Sequence, residues 1–302
     1  LSIDLLSAGV AGFYRNTEQK LYVISRGGSL TGAEKIAFAH EYDHALQDQN
    51  FSVFRDQRQI NDETDRLLAR QAVYEGDATT LMFDWARAHF SADEWAEYLR
   101  AANDPEMQQI LARIPPILLD TLLWPYSTGY AFVLGAKTDG GWTAVDRMYA
   151  DMPVSSEQIL HPAKYKAHEK PIDVSLPNDL ARRLGSGWTE PYRDTLGEFQ
   201  LAIWLKGGGN PSDAASQAAA GWGGDRVAVL QGPGGAWAVV LRTDWDSARD
   251  ATEFEVAATK ALGKAIGANA VLPGEDGSTR WVVVASSAST LGDVRGALGL
   301  AG

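Results

Sequence analysis

Residues 31–49 read TGAEKIAFAHEYDHALQDQ, and the fold of the first half of the chain follows from how this stretch is taken. Thr31, with Glu34 three positions on, makes a capping box, in which each side chain satisfies a backbone N–H at the start of a helix. The apolar run Ile36-Ala37-Phe38-Ala39 leads directly into His40, so the spacing predicts a helix over Ser29 to Gln49 that is at least half buried. On a helix, positions four apart share one face, which brings His40 and His44 within reach of one metal ion with Glu41 beside them, the HExxH arrangement. A lone buried histidine is readily satisfied by its neighbours. Two of them flanking a glutamate are hard to satisfy without a cation.

A catalytic zinc site keeps three protein ligands and one open position, so a third donor is expected downstream. Residues 64–90, TDRLLARQAVYEGDATTLMFDWARAHF, have helical periodicity, and the face through Glu75 carries Leu68, Ala72, Thr79 and Met82. Glu75 is the only charge on that face. A carboxylate stranded there must be protonated, bound to a metal, or paired with an arginine such as Arg70 or Arg66.

The order of HExxH and then a glutamate on a second helix, with thirty residues between His44 and Glu75, resembles the gluzincin group of metallopeptidases. More narrowly, AHEYDHALQDQNF (39–51), VYEGDAT (73–79) and EQILHPAKY (157–165) resemble blocks in a set of uncharacterised bacterial and archaeal zinc metallopeptidases. The blocks span roughly the first 165 residues, and HExxH with its flanking ALQDQ is the specific part. The resemblance implies a zincin-like domain that binds Zn2+ through His40, His44 and Glu75, with Glu41 as general base. It also implies a later donor to the tetrahedral oxyanion. His161 is the first candidate, because Pro162 holds it extended on a loop; Tyr165 is the second choice, and Tyr126 and Tyr130 are third. One departure stands out. Many gluzincins carry an aspartate four residues after the glutamate ligand to orient a histidine, whereas this chain has Thr79 there. The nearby Asp77 lies about 200° around the helix from Glu75 at ~100° per residue.

The chemistry expected of such a set is metal-assisted hydrolysis of a peptide bond, with Glu41 taking a proton from water and passing it to the leaving amine. Gly12 to Arg15 and Lys20 to Ser25 read as the strands of a hairpin around Asn16 to Gln19. In the resembled group an edge strand before the active helix holds an extended substrate, and Leu21 to Ser25 occupies that place; the plain alternative is a hairpin that only covers the helix.

Composition narrows the partners. With a net charge of −12 the chain is not expected to bind nucleic acid or anionic membrane surfaces. There is no cysteine, which excludes disulfides and thiolate ligands. No stretch is apolar enough for a transmembrane segment. The chain begins at Leu1, which suggests a fragment or a processed form. Members of the resembled set are often exported or membrane-anchored, which implies an extracytoplasmic or membrane-anchored location. Asn50-Phe51-Ser52 fits a glycosylation acceptor, but at the end of the active helix a glycan would crowd the cleft, against a eukaryotic secreted protein.

Further helices are expected over Pro105 to Ile114, Ile117 to Trp124, Tyr126 to Lys137 and Trp142 to Asp151. Met107-Ile110-Leu111-Ile114 and Leu118-Leu119-Leu122-Leu123 read as core stripes. The polar, proline-punctuated stretch from Lys166 to Gly187 reads as a connection between domains. Beyond it, helices over Glu198 to Lys206, Pro211 to Ala220, Asp246 to Leu262 and Thr290 to Leu298 alternate with strands over Arg226 to Leu230, Trp237 to Leu241 and Arg280 to Ala285. Gly221-Trp222-Gly223-Gly224-Asp225-Arg226 reads as a helix-to-strand turn with Asp225 and Arg226 pairing locally, and not as a phosphate cradle. His89 and His168 have no partner spacing and are expected to be exposed.

The expected class is α+β: a mainly helical zincin-like domain over 1–185 with a small sheet edge, then a smaller α+β module with an antiparallel sheet over 186–302. Two other functions fit the same residues. One is a non-catalytic peptidase-like protein with a structural metal, whose C-terminal module binds a cell-surface partner. The other is a metal-dependent hydrolase of non-peptide amides. A purely structural site has no need of Glu41, which favours an enzyme acting on a peptide or protein.

Overall fold

Asn61–Arg66 and Val154–Gly302 form one compact unit, and Leu1–Ile60 with Leu67–Pro153 form the other. The computed structural model describes residues 12–24, 28–53 and 63–300. The fold is α+β, with one two-stranded and one five-stranded sheet among the described residues.

In the first unit, β1 (Gly12–Arg15) and β2 (Lys20–Val23) pair antiparallel, with Phe13 opposite Tyr22 and their rings stacked at 4.8 Å. Ser25, expected at the end of this hairpin, lies outside the described residues. Helix α1 (Gly32–Phe51) begins with both halves of the Thr31–Glu34 capping box, as expected, and ends where Ser52 turns left-handed with φ 55°. Its buried polar residues, His40, Asp43 and Gln47, share one face.

Helix α2 (Thr64–His89) is followed by α3 (Ala92–Ala102), α4 (Pro105–Leu111), α5 (Pro116–Gly140) and α6 (Trp142–Met148). The two helices expected on either side of Pro125 are one. Proline in an isolated helix interior costs about 3 kcal/mol, and burial of Trp124, Phe132 and Val133 along α5 offsets that cost. The leucine stripe expected in the core is not there: Leu118, Leu122 and Leu123 are 56%, 42% and 44% exposed. Helix α5 packs on α2 at a pair of glycines. A Cβ on Gly76 would sit 2.3 Å from the Gly129 carbonyl oxygen, and one on Gly129 would sit 2.2 Å from that of Ala72. At this crossing the two helices therefore meet backbone to backbone.

The second unit contains α7 (Ser156–Leu160), α8 (Pro162–Lys166), α9 (Leu180–Leu184), β3 (Thr189–Asp194), α10 (Gly197–Gly207), α11 (Ser212–Ala219), β4 (Trp222–Gln231), β5 (Trp237–Trp245), α12 (Ala248–Leu262), β6 (Ala268–Pro273), β7 (Thr279–Ala285) and α13 (Ala288–Leu298). The sheet order is β3-β4-β5-β7-β6, and every neighbouring pair is antiparallel. Alternation along the strands builds a core on each face: Val227, Leu241 and Val282 pack with Leu201, Trp222 and Phe254, while Ala228, Val240 and Val283 pack with Leu176, Leu180 and Val294.

Two expectations change here. The division of the chain falls between Pro153 and Val154, not at 185/186. The polar stretch once read as a connection carries Val174, Leu176 and Leu180, all buried, and the Ile172 N–H bonds the Gly223 carbonyl at 2.7 Å. Asp225 does not pair locally with Arg226. It accepts the Leu196 and Gly197 N–H groups at 2.9 and 2.8 Å and the Trp222 indole N–H at 2.9 Å, so it caps the start of α10 from a neighbouring strand.

That cap has a pH signature. Burial raises Asp225 to about 6, Glu157 to about 7, and Asp65 well above the carboxylate range. Each carboxyl binds its proton more tightly folded than unfolded. Its contribution is therefore complete below the ordinary carboxylate pKa of about 4 and is lost as pH rises through 6 to 7. The Tm of the full chain should rise as pH is lowered from about 8 to about 5. A flat or falling profile over that span would contradict the burial of these charges.

Candidate metal centre

Helix α1 presents His40 and His44 one turn apart, with ring centroids 4.7 Å apart and planes at 90°. Their Nε2 atoms face each other at 3.1 Å. Glu75, from α2, brings Oε2 to 3.1 Å from His40 Nε2 and 3.4 Å from His44 Nε2. All three side chains are largely buried, at 10%, 12% and 21% exposure. A tetrahedral cation with bonds of about 2.0–2.1 Å holds its ligand atoms roughly 3.4 Å apart, so these three donor atoms are close enough together to hold one metal ion.

The three side chains also shift one another's protonation. Burial alone would raise Glu75, but the hydrogen bonds and charges of the two histidines outweigh it and bring its pKa down to about 2. Burial likewise opposes a charge on His44, yet the bond and charge of Glu75, with help from Gln47 and Glu41, hold it up at about 9. Carboxylate and imidazolium thus hold each other as an ion pair. The partner of Glu75 is not Arg66, which pairs with Glu63 at 3.1 Å.

Glu41 stands beside the three donors and is held by the hairpin: its Oε2 accepts the Tyr14 N–H at 2.9 Å. The Tyr14 hydroxyl also donates to Asp48 at 2.8 Å, which ties β1 along α1. Gly12 is needed in that strand, because a Cβ there would meet the Tyr22 carbonyl oxygen at 2.9 Å.

Among the candidate oxyanion donors, the structure brings Tyr126 to the cluster. Its ring stacks on His40, with centroids 5.9 Å apart at 27°. Burial first, then the charge and hydrogen bond of Glu75, push its pKa well up, so it remains a donor. Tyr130, one turn on, packs instead against Phe83. His161 and Tyr165 belong to the second unit. There His161 Nε2 bonds the buried Glu198 at 2.9 Å, which raises the pKa of the imidazole.

Beneath the donors lies a polar layer that the sequence reading passed over. Gln47, 1% exposed, places Oε1 3.0 Å from His44 Nδ1, while its Nε2 donates to Asp43 at 2.8 Å and to the Tyr74 carbonyl at 3.0 Å. Asp77, on a different face of α2 from Glu75, accepts from Gln47 at 3.4 Å and from the Tyr149 hydroxyl. Thr79 is buried, and its hydroxyl has no partner among the described residues. The sequence did carry a signal for Gln47: it follows His44 by three and so shares its face.

A second group of acids, Glu157, Glu169 and Asp246, surrounds the Lys164 ammonium at 2.6, 2.7 and 2.7 Å. The lysine fills that position. Among the described residues no helix is long and apolar enough to cross a membrane.

A family described as a domain of unknown function, DUF8575, matches residues 182–295, which lie in the second unit and include none of the cluster. No curated protein and no solved structure matches the chain.

Proposed function

We propose that the chain is a zinc-dependent peptidase, with His40, His44 and Glu75 as metal ligands and Glu41 as general base. The convergence of three donor atoms from two helices, with a fourth, non-ligating carboxylate held beside them, carries this reading. Bound by these residues, zinc would supply Lewis-acid polarisation of a carbonyl and would make a nearby water easier to deprotonate. Glu41 would take a proton from the attacking water and return it to the leaving nitrogen, and the Tyr14 N–H holds its carboxylate towards β1. Tyr126 donates its hydroxyl proton towards the carbonyl oxygen as negative charge builds there. The hairpin provides the main-chain edge on which an extended peptide would pair. Exposed Leu122 and Leu123, one turn before Tyr126 on α5, favour substrates with a bulky apolar side chain beside the scissile bond.

The test is an unbiased peptide library incubated with the zinc-loaded chain and read by mass spectrometry. Cleavage should be stopped by a chelator, restored by zinc, and enriched next to leucine and phenylalanine. In the same assay Tyr126→Phe should lower kcat more than it changes KM. A chain that binds zinc and cleaves nothing would sink the peptidase reading and leave the metal centre standing.

A further inference from the structure

We propose that Gln47 is a positioning residue: it fixes which ring nitrogen of His44 faces the cluster, and it ties that histidine to the helix supplying Glu75. The inference rests on the proposed metal centre for its purpose, but its geometry stands on hydrogen bonds alone.

A glutamine amide has an oxygen that only accepts and a nitrogen that only donates, and its orientation must be deduced from its surroundings. Here the surroundings decide. One end of the amide lies 3.0 Å from the carbonyl oxygen of Tyr74, a group that accepts in every protonation state. Asp43 Oδ2 at 2.8 Å and Asp77 Oδ2 at 3.4 Å lie on the same side. That end is therefore Nε2, and the end facing His44 Nδ1 at 3.0 Å is the oxygen. An oxygen in that position requires a proton on Nδ1. A neutral imidazole with Nδ1 protonated has its lone pair on Nε2, the atom 3.1 Å from His40 Nε2 and 3.4 Å from Glu75 Oε2. The amide thus selects the tautomer that can bind a cation, as outer partners of metal-binding histidines do elsewhere.

The other end of the amide reaches the second helix. Tyr74 immediately precedes Glu75, so the bond to its carbonyl anchors α2 beside the third donor. Carbonyls within a helix already accept a bond from four residues on, and this additional donor reaches Tyr74 through the packed interior. One side chain thereby sets the ring of one ligand and the backbone next to another.

Gln47→Met, close in size and without either polar end, separates positioning from packing. Zinc affinity of the full chain, measured by competition with a chromogenic chelator, should fall ~10–100-fold, the usual cost of losing an outer partner. The tautomer is read independently from the 15N shifts of His44 in the metal-free chain, at a pH where a titration of those shifts shows the imidazole to be neutral. The wild type should show protonated Nδ1, and Gln47→Met should drift towards the mixture of a free imidazole. Unchanged affinity with an unchanged tautomer would overturn the role of Gln47 and leave the metal centre intact. A wild type protonated on Nε2 would overturn it without any variant, even if Gln47→Met does not fold. A wild type that binds no zinc but is protonated on Nδ1 would keep the clamp and remove the metal reading.

Discussion

Glu41→Gln should retain about one equivalent of zinc and lose hydrolysis by ~10²–10⁴-fold, the span that a positioned general base contributes. The substitution is chosen for what it preserves. Glutamine keeps an oxygen that can accept the Tyr14 N–H, now 2.9 Å from Glu41 Oε2, so the hairpin stays on α1. It also leaves His40, His44 and Glu75 in place, since Glu41 is not among the atoms that converge. Only the capacity to take a proton is removed. Full hydrolysis by a zinc-loaded Glu41→Gln chain would show that Glu41 is not the base. Loss of zinc together with activity would instead mean that Glu41 shapes the centre.

Glu75→Ala should bind zinc more than ~100-fold more weakly, beyond the loss expected from removing an outer partner. The remaining pair, His40 and His44, comes from a single helix and offers two donors where a catalytic site uses three. The carboxylate matters also for its charge. Glu75 is the group that offsets the burial of the two rings, and without it His44 loses the partner that holds its pKa at about 9. Two imidazole nitrogens 3.1 Å apart would then face each other with no anion to organise them. Equilibrium competition against a chelator measures the difference directly. Near wild-type affinity in Glu75→Ala would place the third ligand elsewhere in the chain.

The parts of this centre that could be read from the sequence are those written in local periodicity. The capping box at Thr31 and the apolar run into His40 declare α1, and a single charge on the apolar face of α2 declares Glu75 as a group that must find a partner. Gln47 escaped because a glutamine three residues past a histidine also suits a solvated helix, and only its burial at 1% exposure distinguishes the two. On sequence alone Tyr126 stands behind His161 as a candidate because Pro162 marks His161 as an extended loop residue, while no local pattern marks Tyr126 out. The continuity of α5 depends on tertiary burial of Trp124, Phe132 and Val133, which no local pattern contains. In the second unit β4, β5 and β7 were legible as alternating apolar runs. The edge strands β3 and β6 were not, since Pro191, Tyr192 and Arg193 in one and the short ANAVLP of the other carry the weak patterning that keeps a sheet edge from pairing further.

The glycine crossing of α2 and α5 bears on how such a centre could change over generations. Glu75 immediately precedes Gly76, and Tyr126 lies three residues ahead of Gly129, so the carboxylate and the phenol are spaced by main-chain atoms in contact. A crossing made of side chains can be retuned by trading a leucine for a valine. This one has no side chain to trade, and any residue larger than glycine forces the helices apart. Change is therefore channelled to exposed positions such as Leu122, Leu123 and Val23, which can vary while the interval between Glu75 and Tyr126 is inherited unaltered.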